Sequence, residues 1–221
     1  EKNLEQLIPE LIKSISEFEN EIIIVNDNSN DKSELIISKF KEKFPQIIMI
    51  TNSKNLGQSY SINKGIEFSK FENIVTLDGD GQNDPKDIPK LSNIYFSNQG
   101  YSLVGGIRFR RVDSFSKIIA SKIANSIRGL IFNDKCKDTG CSLKIFDKKT
   151  FQEIPYFNGI HRFLPALFVG LNKQIFFINV NHRKRQHGVS KYGNFTRLFK
   201  GIYDIVRVLN IIKKIKNDKL S

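Results

Sequence analysis

The sequence predicts an α/β fold: a mixed, mostly parallel sheet flanked by helices and followed by a C-terminal amphipathic helix. Two observations carry this. Short continuous apolar runs alternate with stretches of helical periodicity, and two of the runs end in acidic turns. Continuous apolar runs of this length suit strands buried on both faces of a parallel sheet.

The elements follow in order. Leu4, Leu7, Ile8, Leu11, Ile12 and Ile15 recur at helical spacing, so residues 3–18 read as an amphipathic helix. The run Ile22-Ile23-Ile24-Val25 reads as a strand, a helix over about 31–43 leads to the strand Ile47–Ile50, and a helix over about 58–69 leads to a strand at 73–77. Beyond residue 100 come a strand near 102–107, a basic helix near 114–132, strands at 142–146 and 174–180 around a helix at about 160–170, and a long helix over about 194–216. Phe163, Leu164, Leu167 and Phe168 read as core material. No linker, repeat or low-complexity tract interrupts the chain, so 1–193 reads as one domain and 194–221 as the appended helix.

Composition narrows the partners. The 221 residues suffice for one large core, and 18 Phe supply bulk for it. The net charge of +12 favours anionic partners: nucleic acid, an acidic membrane surface or phosphorylated small molecules. A nucleic-acid module predicts aromatic-basic interleaving or a helix-turn-helix, and neither is found. Cys136 and Cys141 have no zinc-finger spacing to His182 and His187, and they read as free cytosolic thiols. No run approaches the ~18–20 apolar residues needed to cross a bilayer, and no signal peptide is visible. The chain opens at Glu1-Lys2-Asn3-Leu4 without Met, which leads the sequence reading to expect a missing true start.

In open α/β sheets, ligands bind at the carboxyl ends of strands. Asp27 directly follows the first apolar run, and Asp78-Gly79-Asp80-Gly81-Gln82 follows Ile74–Leu77. A turn rich in Asp and Gly is ordinarily only a turn. Two of them at two strand ends carry more weight. Asp78 and Asp80, with the Gln82 amide, form a hard-oxygen set suited to Mg²⁺ or Mn²⁺. Gly79 and Gly81 permit close approach of a bulky ligand. An ion there would bridge diphosphate oxygens and offset the charge on a departing nucleoside diphosphate. Asp27 is placed to accept a hydrogen bond from a base or ribose. The absence of a Walker loop and of Gly-x-Gly-x-x-Gly argues against kinases, NTPases and dinucleotide oxidoreductases.

With these residues in view, the chain resembles the family 2 glycosyltransferases of GT-A (Rossmann-like) fold, in the dolichyl-phosphate mannose synthase-like branch that glycosylates polyprenyl phosphates. The matching pieces are Glu1–Leu4, Val25–Ser29, Asn55-Leu56-Gly57, Asp78–Gln82, Gly105–Arg108, Ser121–Asn125, Asp138–Cys141 and His187–Gly193. The resemblance implies inverting transfer from a GDP- or UDP-sugar to a dolichyl or undecaprenyl phosphate. It implies that Asp27 contacts the nucleoside, that Asp78 meets the ribose or metal beside Gly79, and that Asp80 and Gln82 ligate the metal. Arg108, Lys122, Arg185 and Lys191 would surround the two phosphate groups, with Lys122, Arg185 and the Ser190 hydroxyl toward the acceptor. The catalytic set implied is Asp80, Arg108, Lys122 and Lys191. Lys122 replaces the family's usual Arg, exchanging a bidentate fork for a point charge, and Asn26 stands where Asp is frequent. The family's first strand and its Tyr-Asn-Glu turn are not in this sequence.

A phosphate acceptor agrees with this basic set. A phosphate monoester has its second pKa near ~6, so at neutral pH it needs surrounding positive charge more than a general base. Single displacement with inversion and no covalent enzyme intermediate is therefore expected. A saccharide hydroxyl acceptor would need a base, for which Asp138 is the candidate. In the last helix, Phe195, Leu198, Phe199, Ile202, Ile205, Val206, Leu209, Ile212 and Ile215 follow helical spacing beside many Lys and Arg. Such a helix fits an anionic bilayer interface, packing on the sheet, or another subunit. The first reading places the chain peripherally at the cytoplasmic face of a membrane.

Overall fold

Each apolar run of the first half becomes a strand, and each intervening periodic stretch a helix. The structure, a computed structural model, describes residues 1–98, 100–109, 125–184 and 195–218, with side chains in the last stretch described from Tyr203 onward. In chain order the elements are α1 (Lys2–Ser14), β1 (Ile22–Asn26), α2 (Ser33–Lys43), β2 (Ile47–Thr51), α3 (Gln58–Phe68), β3 (Asn73–Thr76) and α4 (Ile88–Ser97). They continue with β4 (Tyr101–Arg108), α5 (125–132), β5 (Lys144–Asp147), α6 (Lys148–Gln152), α7 (Leu164–Gly170), β6 (Gln174–Val180) and α8 (Phe195–Asp218). The expected basic helix is described only in its second half, since 110–124 lie outside the described residues.

The sequence reading has no counterpart of α4. Two prolines disguise it. Pro85 opens a short 3₁₀ turn and Pro89 sits in the first turn of α4, where a missing N–H costs nothing. Around Pro89, the buried Ile88, Leu91 and Tyr95 keep helical spacing.

β1 pairs in parallel with β2, and a second sheet has the order β3-β5-β4-β6. Within it β5 alone runs against its neighbours, while β4 and β6 are parallel, so the arrangement is mixed. Successive strand residues feed opposite cores. Leu103 and Phe146 join a cluster with Phe157, Leu164 and Phe168, whereas Val104 and Ile145 join one with Ile8, Ile37 and Leu91. This period-2 alternation is how a sheet holds helices on both faces. Phe163, Leu164, Leu167 and Phe168 are buried, as core packing requires.

α8 corrects part of the interfacial expectation. Val208 is fully buried, Asp204 is buried against Arg162 at 2.7 Å, and Ile205, Ile212 and Ile215 pack onto the core. Gly170 is what lets α8 come this close, because a Cβ there would lie 2.6 Å from Ile212. One stripe is thus committed to the domain. Tyr203, Val206 and Leu209 remain exposed. The side chains of Phe195, Leu198, Phe199 and Ile202 lie outside the described residues.

Candidate active site

The ends of β1 and β3 lie side by side, tied by consecutive residues at the start of α3. Gln58 Nε2 donates to Asp78 Oδ1 at 2.7 Å, and the Gly57 N–H donates to Asp27 Oδ2 at 2.8 Å. Gly57 has φ +87°, in the left-handed region where Gly is favoured. The motif Asn55-Leu56-Gly57 therefore has a mechanical meaning: it wraps the first acidic turn.

Asp27 is held by the loop that follows β2. Its Oδ1 accepts from Asn52 Nδ2 and the Leu56 N–H, both at 2.8 Å, while Oδ2 accepts from Gly57. A nucleoside reaching Asp27 meets a carboxylate that already organises the 52–57 loop. Burial alone would push this carboxyl up, but hydrogen bonds from Leu56, Asn52, Gly57 and Ser61 outweigh it and hold the pKa below its usual value. Folded-state depression means stability that is present above the unfolded value near ~4 and lost as pH falls through the lower folded value. Asp27→Asn is therefore expected to lower the urea midpoint at pH 7, with the deficit shrinking below about pH 4. Paired urea titrations at pH 7 and pH 3 check it; a deficit unchanged with pH contradicts it.

Asp78 behaves in the opposite way. Its own burial and then the neighbouring Asp80 charge push its pKa up, opposed by a Ser142 hydrogen bond and the charges of Lys144 and Arg108. Two carboxylates that crowd one another in this way are relieved by a cation. Asp80 Oδ1 accepts the Gln82 N–H at 3.1 Å, and Gly81 at φ +75° turns the chain. At Gly79 a Cβ would meet only Leu4, at an ordinary 3.7 Å, so the need for Gly there is weaker than at Gly81.

Among the described residues, no three His, Cys, Asp or Glu side chains gather around one point. The protein offers Asp78 and Asp80, and the rest of a shell is left to amide oxygens, water or ligand oxygens. That division suits Mg²⁺, which is commonly held by one or two carboxylates plus substrate phosphates. The residues fit a hard divalent ion.

The sequence reading passed over two neighbours of this turn. Gln82 Nε2 stands 3.4 Å from His182 Nε2, and the Gln82 carbonyl accepts the Arg183 N–H at 2.8 Å. Arg183 also reaches Asp84 Oδ1 at 2.6 Å and Glu10, clamping the exit of β6 to the acidic turn and to α1. The two turns lie about 100 residues apart in the chain, as the Gln82–His182 separation shows, so no local pattern could announce the contact.

Arg108, expected beside the phosphates, makes a fork on Asp138. Its Nε and Nη2 donate to the two Asp138 oxygens, each at 2.7 Å, and its backbone N–H adds a third contact at 3.2 Å. Gly140 makes room for this fork, since a Cβ there would lie 2.8 Å from Arg108 Nη2. Arg108 thus has Nε and Nη2 engaged within the protein, and Asp138 accepts three N–H groups from it. Lys122, Arg185, Ser190 and Lys191 lie outside the described residues.

The fold and the paired carboxylates at its strand ends can now be set beside known proteins. Residues 1–155 match the family model described as glycosyl transferase family 2, and the chain belongs to that family. Over 192 residues (86% of this chain) it is 35% identical to dodecaprenyl-phosphate galacturonate synthase of Rhizobium johnstonii. It is 31% identical over 190 residues, again 86% of this chain, to undecaprenyl-phosphate 4-deoxy-4-formamido-L-arabinose transferase of Edwardsiella ictaluri. These matches span 56% and 58% of the two relatives' own lengths. Among solved structures, mannosyl-3-phosphoglycerate synthase of Rubrobacter xylanophilus superposes with TM-score 0.67 at 10% identity, covering 99% of this chain and 71% of that one. Glucosyl-3-phosphoglycerate synthase of Mycobacterium tuberculosis with Mn²⁺, UDP-glucose and glycerol 3-phosphate gives TM-score 0.64 at 15% identity, covering 94% and 75%. The α/β architecture is thus the GT-A fold.

Proposed function

We propose that the protein transfers a sugar from a nucleotide-diphosphate donor to a polyprenyl phosphate, with inversion and without a covalent enzyme intermediate. The observation that carries this reading is the Asp78–Asp80 pair at a sheet end, set beside an Asp138 that is neutralised by Arg108. The relatives' printed names, both polyprenyl-phosphate glycosyl transferases or synthases, support the acceptor class.

Asp78 and Asp80 would hold a divalent ion, Mg²⁺ or Mn²⁺, which supplies Lewis-acid stabilisation of the leaving diphosphate. Gln58 fixes the orientation of Asp78, and Gly81 keeps Asp80 turned beside it. An acceptor phosphate oxygen then attacks the anomeric carbon as the bond to the nucleoside diphosphate breaks. A saccharide hydroxyl would have to lose a proton in that step. Among the described residues, the carboxylate expected for that task already accepts three N–H groups from Arg108. A phosphate dianion needs none, and Lys122, Arg185, Ser190 and Lys191 are assigned by resemblance to receive it.

The acceptor would be met at the cytoplasmic face of a membrane. No helix among the described residues is long and apolar enough to cross one. Tyr203, Val206 and Leu209 on α8 and Ile127, Leu130 and Ile131 on α5 expose apolar surface, with Lys213, Lys214 and Lys216 farther along α8. Apolar anchors with flanking cations suit an anionic interface.

Radiolabelled transfer by the full-length protein, from a panel of UDP- and GDP-sugars to undecaprenyl phosphate or to soluble glycans, tests the reading. Lipid-extractable product that requires Mg²⁺ or Mn²⁺ is expected. Product on soluble glycans alone, or no product with any donor, overturns it.

A further inference from the structure

Both acidic turns are held by the start of α3, a stretch with little support of its own. Gly57, at the N-cap, has no side chain with which to cap the helix. Yet the Gly57 N–H and the Gln58 side-chain amide carry the contacts to Asp27 and Asp78, which stand at the ends of strands in two different sheets. A shift of this first turn moves both donors together.

Support comes from the next residue. Ser59 is 2% exposed, and its Oγ accepts the Gly159 N–H at 2.8 Å and meets His161 Nδ1 at 2.8 Å. The second bond holds in either ring tautomer, because a hydroxyl both donates and accepts. Tyr60 adds an edge-on contact with Tyr156, their ring centroids 6.5 Å apart. Consecutive residues of α3 are thus latched to one segment, 156–161, just ahead of α7.

That segment is the fixed side of the latch. Phe157, Ile160 and Phe163 are buried in the core. Arg162 pairs with the buried Asp204 of α8 at 2.7 Å, and Arg207 of α8 lies over the Phe157 ring, 5.1 Å from its centroid. Gly159, at φ +113°, leaves room for the ion pair: a Cβ there would lie 2.9 Å from Arg162 Nη2 and 3.2 Å from Asp204 Oδ2. Anchored by the core on one side and by α8 on the other, the segment sets the position of α3, which has no cap of its own. Ser59 and His161 do not act as a hydrolytic nucleophile and base. The hydroxyl is shut away from substrate and already holds the Gly159 N–H.

We infer that His161 is a positioning residue for the acidic turns. Through Ser59 it fixes the first turn of α3, and with it the two donors that orient Asp27 and Asp78. A carboxylate already turned toward its ion needs no reorientation as charge develops on the leaving group. The consequence for sugar transfer rests on the reading of Asp78 as an ion ligand; the latch itself does not.

The test uses the full-length protein with His161→Ala and His161→Asn. The Asn amide occupies the Nδ1 side of the imidazole and keeps the bond to Ser59, whereas Ala removes it. In His161→Ala, hydrogen exchange of the Gly57 amide without ligand is expected to speed up about five- to tenfold. The kcat for transfer to undecaprenyl phosphate falls by a similar factor, with the KM for that acceptor unchanged. His161→Asn returns both to within about twofold of the parent, a rescue that general loosening of the fold does not give. Ser59→Ala, which removes the same bond from the other side, reproduces the effects of His161→Ala and decides the matter should that variant fail to fold. Unchanged Gly57 exchange overturns the inference, as does equal loss in the Ala and Asn variants, or a kcat that stays intact while exchange rises. Absence of transfer by the parent removes the glycosyl-transfer reading, and Gly57 exchange then decides the latch alone.

Discussion

Asp80→Ala is expected to lower the rate of sugar transfer by about 10²–10³-fold while leaving the protein folded. The effect on rate is large because the residue would act on charge that develops only as the diphosphate leaves. The effect on stability is small because Asp80 is partly exposed in a turn, and the Gln82 N–H it accepts turns to water when it is lost. The unfolding midpoint should move by less than the equivalent of about 1 kcal/mol. Transfer rates and urea curves measured on the same preparation separate the two effects. Retention of more than a tenth of the activity would remove Asp80 from the mechanism.

Asp134→Ala has the opposite profile, with a large cost in stability. Arg128 and Asp134 form a buried pair, 6% and 0% exposed, with contacts at 2.5 and 3.0 Å. Asp134 also accepts the Cys136 N–H, and Arg128 donates to the Cys136 carbonyl, so the pair holds the turn that follows α5. The turn is strained: Asn133 and Lys135, on either side, both have positive φ. Removing the carboxylate strands a guanidinium in the interior, at a cost of about 3–5 kcal/mol. That is a large fraction of a typical domain stability of ~5–15 kcal/mol. The double replacement Arg128→Met with Asp134→Leu should recover most of the loss, since an apolar pair of similar volume leaves no charge unpaired. Urea midpoints for the three forms check this. A loss below about 1 kcal/mol for Asp134→Ala, or no recovery in the double variant, contradicts it.

Both predictions concern residues that sequence reasoning reached unequally. Asp80 could be singled out because its signal is local: an acidic triplet directly after an apolar run falls at a strand's carboxyl end, where α/β sheets bind ligands. Five of the strands were legible for the same reason, and the 142–146 strand was placed within two residues of β5. Long-range pairing was not. Arg108 and Asp138 lie 30 residues apart, and only the folded chain shows that they pair. Nothing in the sequence around Asp27 reveals the donors of residues 52–57 that converge on it. His182 and Arg183 carry no motif, and their place beside Gln82 comes from the return of β6. α4 was missed because its two prolines fall where a helix tolerates them. The apolar stripe of α8 was visible as a stripe, but periodicity does not say what covers it, and the core takes Val208 and Ile212.

The central claim is that two aspartates at the end of β3 hold a cation only together with a nucleoside diphosphate. Its most direct measurement is the paramagnetic resonance of Mn²⁺ titrated into the protein with and without UDP or GDP. The account predicts that ion and nucleotide are retained together, and that Asp80→Ala or Asp78→Asn weakens retention of the ion roughly tenfold or more. Nucleotide that binds equally well in the presence of a chelator, with no difference between the parent protein and the two variants, would contradict it.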